Sequence, residues 1–340
     1  MMEYPRPFWS CALCEEGFMR IVIVDDYADS VRHLKSFSAV SAHQVDIYST
    51  PTASLDQWAE RLAGAEALVL IRERSTVDAA VLNLAPSLKI ISCAGVLPVT
   101  LDVAACSKRG IAVAASKGSG HATAELCWAM ILASERRLIS QIQSLHQGRW
   151  QAPIGRQLHG RTLGLWGFGK IAQQMARYGN AFGMRVLVWG RTSSLERAKG
   201  QGFECAESLA SFLAQSDVVS LHLKLTPDTL HLISASDLML MKPDALFVNT
   251  SRAGLLAPGA LEQALDAGRP GSAAVDVFDH EPLTDPNDSL LRRPNVLATP
   301  HIGFVEQDNY ESFFSGAFDN IRRFAAGERG HLVNSEAFRA

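Results

Sequence analysis

The longest unbroken apolar stretches in this sequence of 340 residues, such as Ala67 to Ile71 and Ala245 to Val248, fall far short of a membrane span. Crossing a bilayer takes roughly 20 apolar residues, so no membrane partner is expected. Neither sign of charge is in excess: the net is −3 with 20% charged residues, which argues against nucleic acid or an anionic surface as a partner. Residues 1–19 lack a basic start followed by an apolar core, so no signal peptide is read there and a cytoplasmic protein is the default. Cysteine is sparse. Cys93, Cys106, Cys127 and Cys205 lie in apolar patterns, where a cysteine acts as a small buried hydrophobe. Cys11 and Cys14 have CxxC spacing, but no second pair or histidine pair follows to complete a zinc site, and no metal is expected. Fixed-period repeats and low-complexity tracts are also missing. Residues 1–19 therefore read as a disordered N-terminal extension, with Met19, directly before the first strand, a candidate natural start.

What the chain does have is length and rhythm. At 47% apolar content it is an ordinary globular composition, and its length suggests two domains of roughly 100–200 residues. From Arg20, β-rich runs alternate with helical patterns: Ile21–Val24, Ser30–Phe37, Val45–Tyr48, Leu55–Leu62, Ala67–Ile71, Asp78–Leu84, Lys89–Ser92, Leu101–Lys108 and Ile111–Ala114. A strandless helical pattern over about Ala122 to Gln147 follows. The alternation then resumes: Thr162–Trp166, Ile171–Ala181, Arg185–Trp189, Leu195–Gly200, Leu209–Gln215, Asp217–Leu221, Ser236–Met239, Ala245–Asn249, Pro258–Ala267, Ser272–Val275 and Val296–Ala298. Such spacing specifies βαβ units, so the expected fold is α/β, with two doubly wound, Rossmann-like parallel-sheet domains and a cleft between them. The last helical stretch, about Val305 to Ala326, has no strand of its own and is expected to return to the first domain.

The clearest motif lies between the strand Thr162–Trp166 and the helical pattern that follows, and reads Gly167-Phe168-Gly169-Lys170-Ile171-Ala172. Gly167 permits a tight turn, Gly169 lets backbone approach a pyrophosphate, and Ala172 takes the third small position, where helix meets strand. The first amides of that helix then hold phosphate. About 20 residues on, where ribose recognition is expected, the chain reads Gly190-Arg191-Thr192-Ser193 with no acid. Without a carboxylate a 2′-phosphate is not repelled, and Arg191 beside Thr192 and Ser193 is able to bind one. NADP(H) is therefore favoured, with NAD(H) remaining open.

Three further segments place polar residues where parallel strands end: Asn249-Thr250-Ser251-Arg252, Asp276 through Glu281-Pro282, and Thr299-Pro300-His301-Ile302-Gly303. Ligand sites form at such ends, and Arg, Glu and His together suit hydride transfer. With these segments and Ser220-Leu221-His222 in order, the chain resembles, over about residues 20 to 330, the D-isomer-specific 2-hydroxyacid dehydrogenases. That family includes D-3-phosphoglycerate dehydrogenase, hydroxypyruvate and glyoxylate reductases, D-lactate dehydrogenase and formate dehydrogenase.

The resemblance implies interconversion of a small 2-hydroxy acid and its 2-oxo acid, with Arg252 binding substrate, His301 as general acid/base and Glu281 as its partner. A guanidinium fork suits a carboxylate, and a glutamate beside the imidazole keeps a proton available near neutrality. It also assigns Asp276 to the nicotinamide carboxamide. His222, Thr250, Ser251 and Gly303 are expected to line the cofactor. His280, next to Glu281, falls where the family has no catalytic residue, and His33, His43, His146, His159 and His331 are read as non-catalytic, in surface-like settings.

Substrate-binding loops are implied at Arg72 and at Ala94-Gly95-Val96. The resemblance departs there: Glu73 replaces a typical serine, and Leu97 to Thr100 replace the usual end of the second loop. Arg72 stands where phosphoglycerate enzymes carry a phosphate-binding arginine, so a phosphorylated or dicarboxylic substrate stays open. Lys224 and Phe304-Val305-Glu306 also depart from the usual pattern.

The expected division is residues 20–118 plus 303–335 as substrate domain and 119–302 as cofactor domain, with a homodimer built on the long helix. Two other readings stay open: a dinucleotide-sensing corepressor on the same fold, and formate dehydrogenase, whose histidine partner is glutamine where this chain has Glu281. No regulatory domain is expected after residue 330.

Overall fold

A computed structural model describes residues 18–118, 120–151 and 154–338. Cys11, Cys14 and the extension up to residue 17 lie outside the described residues. Met19 does not belong with that extension: it is buried, and its carbonyl accepts from Gln44 N at 3.1 Å. The chain divides into two compact units, one of residues up to Gly118 plus those from Gln307 onward, the other of residues 119 to 306.

The first unit holds a five-stranded parallel sheet in the order β2-β1-β3-β4-β5. Its strands are β1 (Arg20–Ile23), β2 (Gln44–Ile47), β3 (Ala67–Ile71), β4 (Ile90–Ala94) and β5 (Ala112–Ala115). β3 and β4 are buried throughout, because helices cover both faces of a parallel sheet and its central strands become continuous apolar runs. The helices α1 (Leu55–Leu62), α2 (Ala79–Asn83) and α3 (Val103–Lys108) begin where Ser54, Asp78 and Asp102 accept hydrogen bonds from first-turn amides. The long α11 (Gln307–Ala325) packs Phe314 and Phe318 into this unit, and Ser92 Oγ donates to Ala317 O at 2.9 Å.

In the second unit seven parallel strands run in the order β12-β11-β10-β9-β6-β7-β8. They are β6 (Thr162–Trp166), β7 (Arg185–Trp189), β8 (Glu204–Cys205), β9 (Val218–Leu221), β10 (Leu246–Asn249), β11 (Ser272–Val275) and β12 (Val296–Ala298). The order reverses beside β6. That topological switch point lies beside the strand that feeds the glycine loop, and α/β sheets bind ligands there. Around the sheet lie α4 (His121–Glu135), α5 (Leu138–His146), α6 (Lys170–Ala181), α7 (Thr192–Lys199), α8 (Leu209–Gln215), α9 (Ala235–Leu238) and α10 (Ala260–Asp266).

Three details differ from the pattern read in the sequence. The segment from Ser30 to Phe37 forms short 3-10 turns and no α-helix, with Asp26 accepting from Val31 N and holding the first of them. β8 is only two residues long, too short for any periodicity. The single helix expected over Ala122–Gln147 is two helices, broken at Arg136–Arg137, because Arg137 takes a left-handed conformation (φ 53°, ψ 37°) that cannot continue a right-handed helix. The break is anchored from outside. Arg156 N donates to Glu135 O at 2.7 Å, its guanidinium grips the buried Glu135 carboxylate at 2.8 and 3.0 Å, and a Cβ on Gly155 would lie 2.6 Å from Glu135 O.

Candidate active site

Six strands of the second sheet each end in a residue singled out from the sequence: β6 at Gly167, β7 at Gly190, β9 at His222, β10 at Thr250, β11 at Asp276, and β12 in the turn to His301. Because the strands are parallel, these ends form one edge.

At β6, Gly167 has φ 94° and its amide donates to Trp189 O at 2.7 Å; a Cβ there would sit 2.6 Å from His222 O, so the turn requires glycine. Phe168 is buried, and its carbonyl accepts from Arg197 Nη1 at 2.7 Å. Gly169 precedes α6, where no side chain caps the helix and a Cβ would meet nothing within 4 Å. The first-turn amides at Lys170 and Ile171 therefore keep their donors for a ligand. Ala172 is fully buried against the sheet.

Gly190 leads from β7 into Arg191, the exposed residue that starts α7, followed by exposed Thr192 and Ser193. Among the described residues no side chain pairs with the Arg191 guanidinium. At β9, the His222 ring meets Ser220 Oγ at 3.0 Å, and Ser220 Oγ lies 3.3 Å from Cys127 Sγ. Burial pushes His222 down to about 4, which leaves it neutral near pH 7 and unfit as an acid there. Burial also pushes the Cys127 thiol up to about 11, against the opposing hydrogen bond from Ser220, so that thiol is inert at neutral pH. At β10 the Thr250 side chain is buried beside the same Cys127 thiol. Uncapped helix amides and a glycine turn with no room for a side chain fit the dinucleotide anticipated for this edge.

An imidazole–carboxylate pair lies farther along the same edge. His301 Nδ1 is 2.5 Å from Glu281 Oε2, and Glu281 Oε1 accepts from Phe278 N at 2.9 Å. Burial alone would raise the Glu281 carboxyl. The hydrogen bond to His301, the histidine's charge, the Phe278 amide and the Arg252 charge together hold it below the ordinary carboxylate range. Glu281 is thus ionised at neutral pH.

Arg252 follows β10 in a braced turn: Asn249 Nδ2 donates to Arg252 O at 3.0 Å, and Ser251 Oγ donates to Leu221 O at 2.7 Å. Its guanidinium donates to Ser251 O at 2.6 Å. Asp276 is almost wholly buried, and burial raises its carboxyl in spite of hydrogen bonds from Thr299, Ile302 and Gly303.

In the first unit, Arg72 follows β3 with φ 55°. Its Cδ would lie 2.7 Å from a Cβ on Gly95, so glycine lets the arginine stem pass, and its guanidinium sits 5.9 Å from the Phe313 ring centre. Ala94 is buried at the end of β4, and Val96 is half-exposed. A polar cluster beside them escaped the sequence reading. The buried Asp25 accepts from the Ser75 hydroxyl, and Arg74 Nη1 donates to Asp25 O at 2.7 Å. Its only signal was a pair of acids, Asp25-Asp26, directly after an apolar strand. His280 is exposed beside Glu281, whereas His331, read as surface-like, is partly buried with its ring nitrogen 3.2 Å from Asn320 O. Among the described residues no group of three or more acids, histidines or cysteines is placed to hold a metal, and no helix is long and apolar enough to cross a membrane.

Residues 128–303 match the NAD-binding domain of the D-isomer specific 2-hydroxyacid dehydrogenases. A glyoxylate reductase of Aeropyrum pernix is 37% identical over 76% of this chain and 80% of its own. Among solved structures, a phosphoglycerate oxidoreductase of Vibrio cholerae O395 is 45% identical, covers 92% of this chain and 100% of its own, and superposes with a TM-score of 0.89. A Ralstonia solanacearum protein, described as a candidate D-3-phosphoglycerate dehydrogenase, is 44% identical over 95% of this chain and 98% of its own, with a TM-score of 0.91. With the glycine loop, the strand-end Arg, Glu and His, and these matches together, the chain belongs to the D-isomer-specific 2-hydroxyacid dehydrogenase family, nicotinamide-dependent oxidoreductases acting on CH–OH donors.

Proposed function

We propose that this dehydrogenase reduces a small 2-oxo acid of the glyoxylate or hydroxypyruvate class, with NADP(H) favoured over NAD(H). The observation that carries the reading is the 2.5 Å contact of His301 Nδ1 with an ionised Glu281 that also senses the Arg252 charge. Glu281 fixes the imidazole with its proton on Nδ1 and leaves Nε2 to serve the substrate. Arg252 holds the substrate carboxylate through paired N–H donors and polarises the adjacent carbonyl. His301 delivers a proton to the carbonyl oxygen in reduction and removes it from the hydroxyl in oxidation. When bound, the dinucleotide supplies or accepts the hydride. The glycine loop at Gly167 and Gly169, the first turn of α6, Thr250 and His222 would hold it, and Arg191 with Thr192 would receive a 2′-phosphate.

A second substrate reading, a phosphorylated three-carbon hydroxy acid, is favoured by one observation: Arg72 stands at the end of β3 with room for its stem left by Gly95. Initial rates with glyoxylate, hydroxypyruvate and 3-phosphohydroxypyruvate, each with NADPH and NADH, separate the two. His301→Ala should lower kcat by about 10²–10⁴ while dinucleotide affinity is kept. Unchanged kcat in that variant overturns the assigned role.

The chain is further proposed to act as a homodimer through α5, where Leu138, Ile142 and Leu145 are exposed on one face and Ser144 is the only buried residue.

A further inference from the structure

We propose that Ser75 is a positioning residue for substrate binding, the joint through which the buried Asp25 holds two loops of the first unit in their working geometry. The inference rests on the reading of those loops, at Arg72 and at Ala94-Gly95-Val96, as binding the 2-oxo acid.

Three chain segments meet at Ser75, each leaving the carboxyl end of a strand. Asp25 follows β1, is 2% exposed and takes φ 62°. Ser75 closes the short loop after β3, and its hydroxyl donates to the Asp25 carboxyl group. Its carbonyl accepts from Thr100 Oγ1 at 2.8 Å, at the far end of the loop after β4. The sheet order places β1, β3 and β4 side by side, so one serine spans three adjacent strand ends.

Each loop is thereby tied at both ends. The first starts where Arg72 N donates to Ala94 O at 3.4 Å, and it ends on Asp25, whose carbonyl accepts from Arg74 Nη1 at 2.7 Å beside the Ser75 bond. The second starts where Gly95 N donates to Ser116 Oγ at 2.8 Å and ends where Val77 N donates to Thr100 O at 2.9 Å. Between those ends its side chains are open, with Val96 and Val99 52 and 82% exposed. The neighbouring Asp26 holds its own segment instead, accepting from Val31 N at 2.8 Å and Ser30 Oγ at 3.2 Å. A tied loop has little freedom left to lose when a ligand binds, so the ties support affinity. The reacting groups Arg252 and His301 belong to the second unit and do not depend on these bonds.

Ser75→Ala removes the joint's hydroxyl, Thr100→Val removes the donor at its carbonyl, and Thr100→Ser keeps that donor without the methyl group. Initial rates of the full chain with glyoxylate and with hydroxypyruvate, at saturating dinucleotide, give kcat and KM. KM should rise about 10-fold in Ser75→Ala and about 3- to 10-fold in Thr100→Val, the scale of one lost hydrogen bond. Such a bond supports substrate and transition state alike, so kcat should stay within about twofold of wild type. Thr100→Ser should match wild type in both constants. An unchanged KM in Thr100→Val overturns the inference even where Ser75→Ala does not fold. A Thr100→Ser protein as impaired as Thr100→Val also overturns it, since the methyl group would then be at work, and so does a fall in kcat with KM kept. Val96→Trp keeps the two ideas apart, because bulk in a substrate-binding loop should raise KM and leave dinucleotide affinity alone. If that variant keeps its KM, the reading of the loop fails; if its KM rises while Ser75→Ala and Thr100→Val keep theirs, only the positioning role fails.

Discussion

Arg191 shows what one residue type at one position implies. It stands where an NAD enzyme presents an acid, it starts α7, and among the described residues no carboxylate neutralises it. A charge-assisted contact with a 2′-phosphate is worth roughly 1.5–3 kcal/mol, or about 10- to 150-fold in affinity. Arg191→Ala should therefore raise KM for NADPH by such a factor and leave NADH nearly unchanged, as measured by kcat/KM for each dinucleotide. A wild type that prefers NADH, with that preference unmoved in the variant, makes the arginine a surface residue only. At this scale the sequence was legible at strand ends: polar residues interrupt apolar runs there, and the structure places Arg252, Glu281 and His301 after the carboxyl ends of β10, β11 and β12. The partners of Asp276 were not legible, since two of its three donors are backbone amides, and amides carry no mark of their direction in a sequence. The neutral state of His222 was hidden for a similar reason, because burial is set by what folds around it.

Elements were readable where their periodicity was long. All the strands of the first sheet and all but the two-residue β8 of the second lie within a few residues of their expected positions, because a buried parallel strand is a plain apolar run. The break between α4 and α5 was not readable. Its cause is a distant residue, Arg156, whose guanidinium neutralises the Glu135 carboxylate, only 2% exposed, and also reaches Asp244 at 2.8 Å. Removing one partner of a buried pair leaves an uncompensated charge, which costs about 3–5 kcal/mol, whereas replacing both is far milder. Arg156→Met should therefore destabilise the chain by about 3 kcal/mol in urea unfolding. Glu135→Leu in the same background should restore much of the loss. A single variant within about 0.5 kcal/mol of wild type, the usual range of a neutral surface change, would show that the helix break needs no ionic anchor.

For the whole molecule, the break decides which apolar residues face inward. α4 buries Ala124, Cys127, Trp128 and Ile131 in its own unit, whereas α5 leaves Leu138, Ile142 and Leu145 from 45 to 61% exposed at spacings of four and three. Trp150 and Ile154 are also exposed, at 81 and 92%. An apolar stripe reads the same in a sequence whether it packs within its own unit or stays exposed, so one helical pattern covered two helices of different burial. The exposed stripe on α5 is the surface proposed above for a second copy, since exposed apolar surface of this kind is typical of interaction sites. In a twofold dimer each residue of the patch is used twice, so one substitution introduces two charges into one interface. Ile142→Asp should thus convert a dimer into a monomer of 36.9 kDa in sedimentation velocity at about 10 µM. The α5 side chains other than Ser144 contribute little to the fold of the unit itself, so the variant's unfolding temperature at high dilution should match that of wild type. A wild type that sediments as a monomer, or an Ile142→Asp protein that stays dimeric, places the interface elsewhere or removes it.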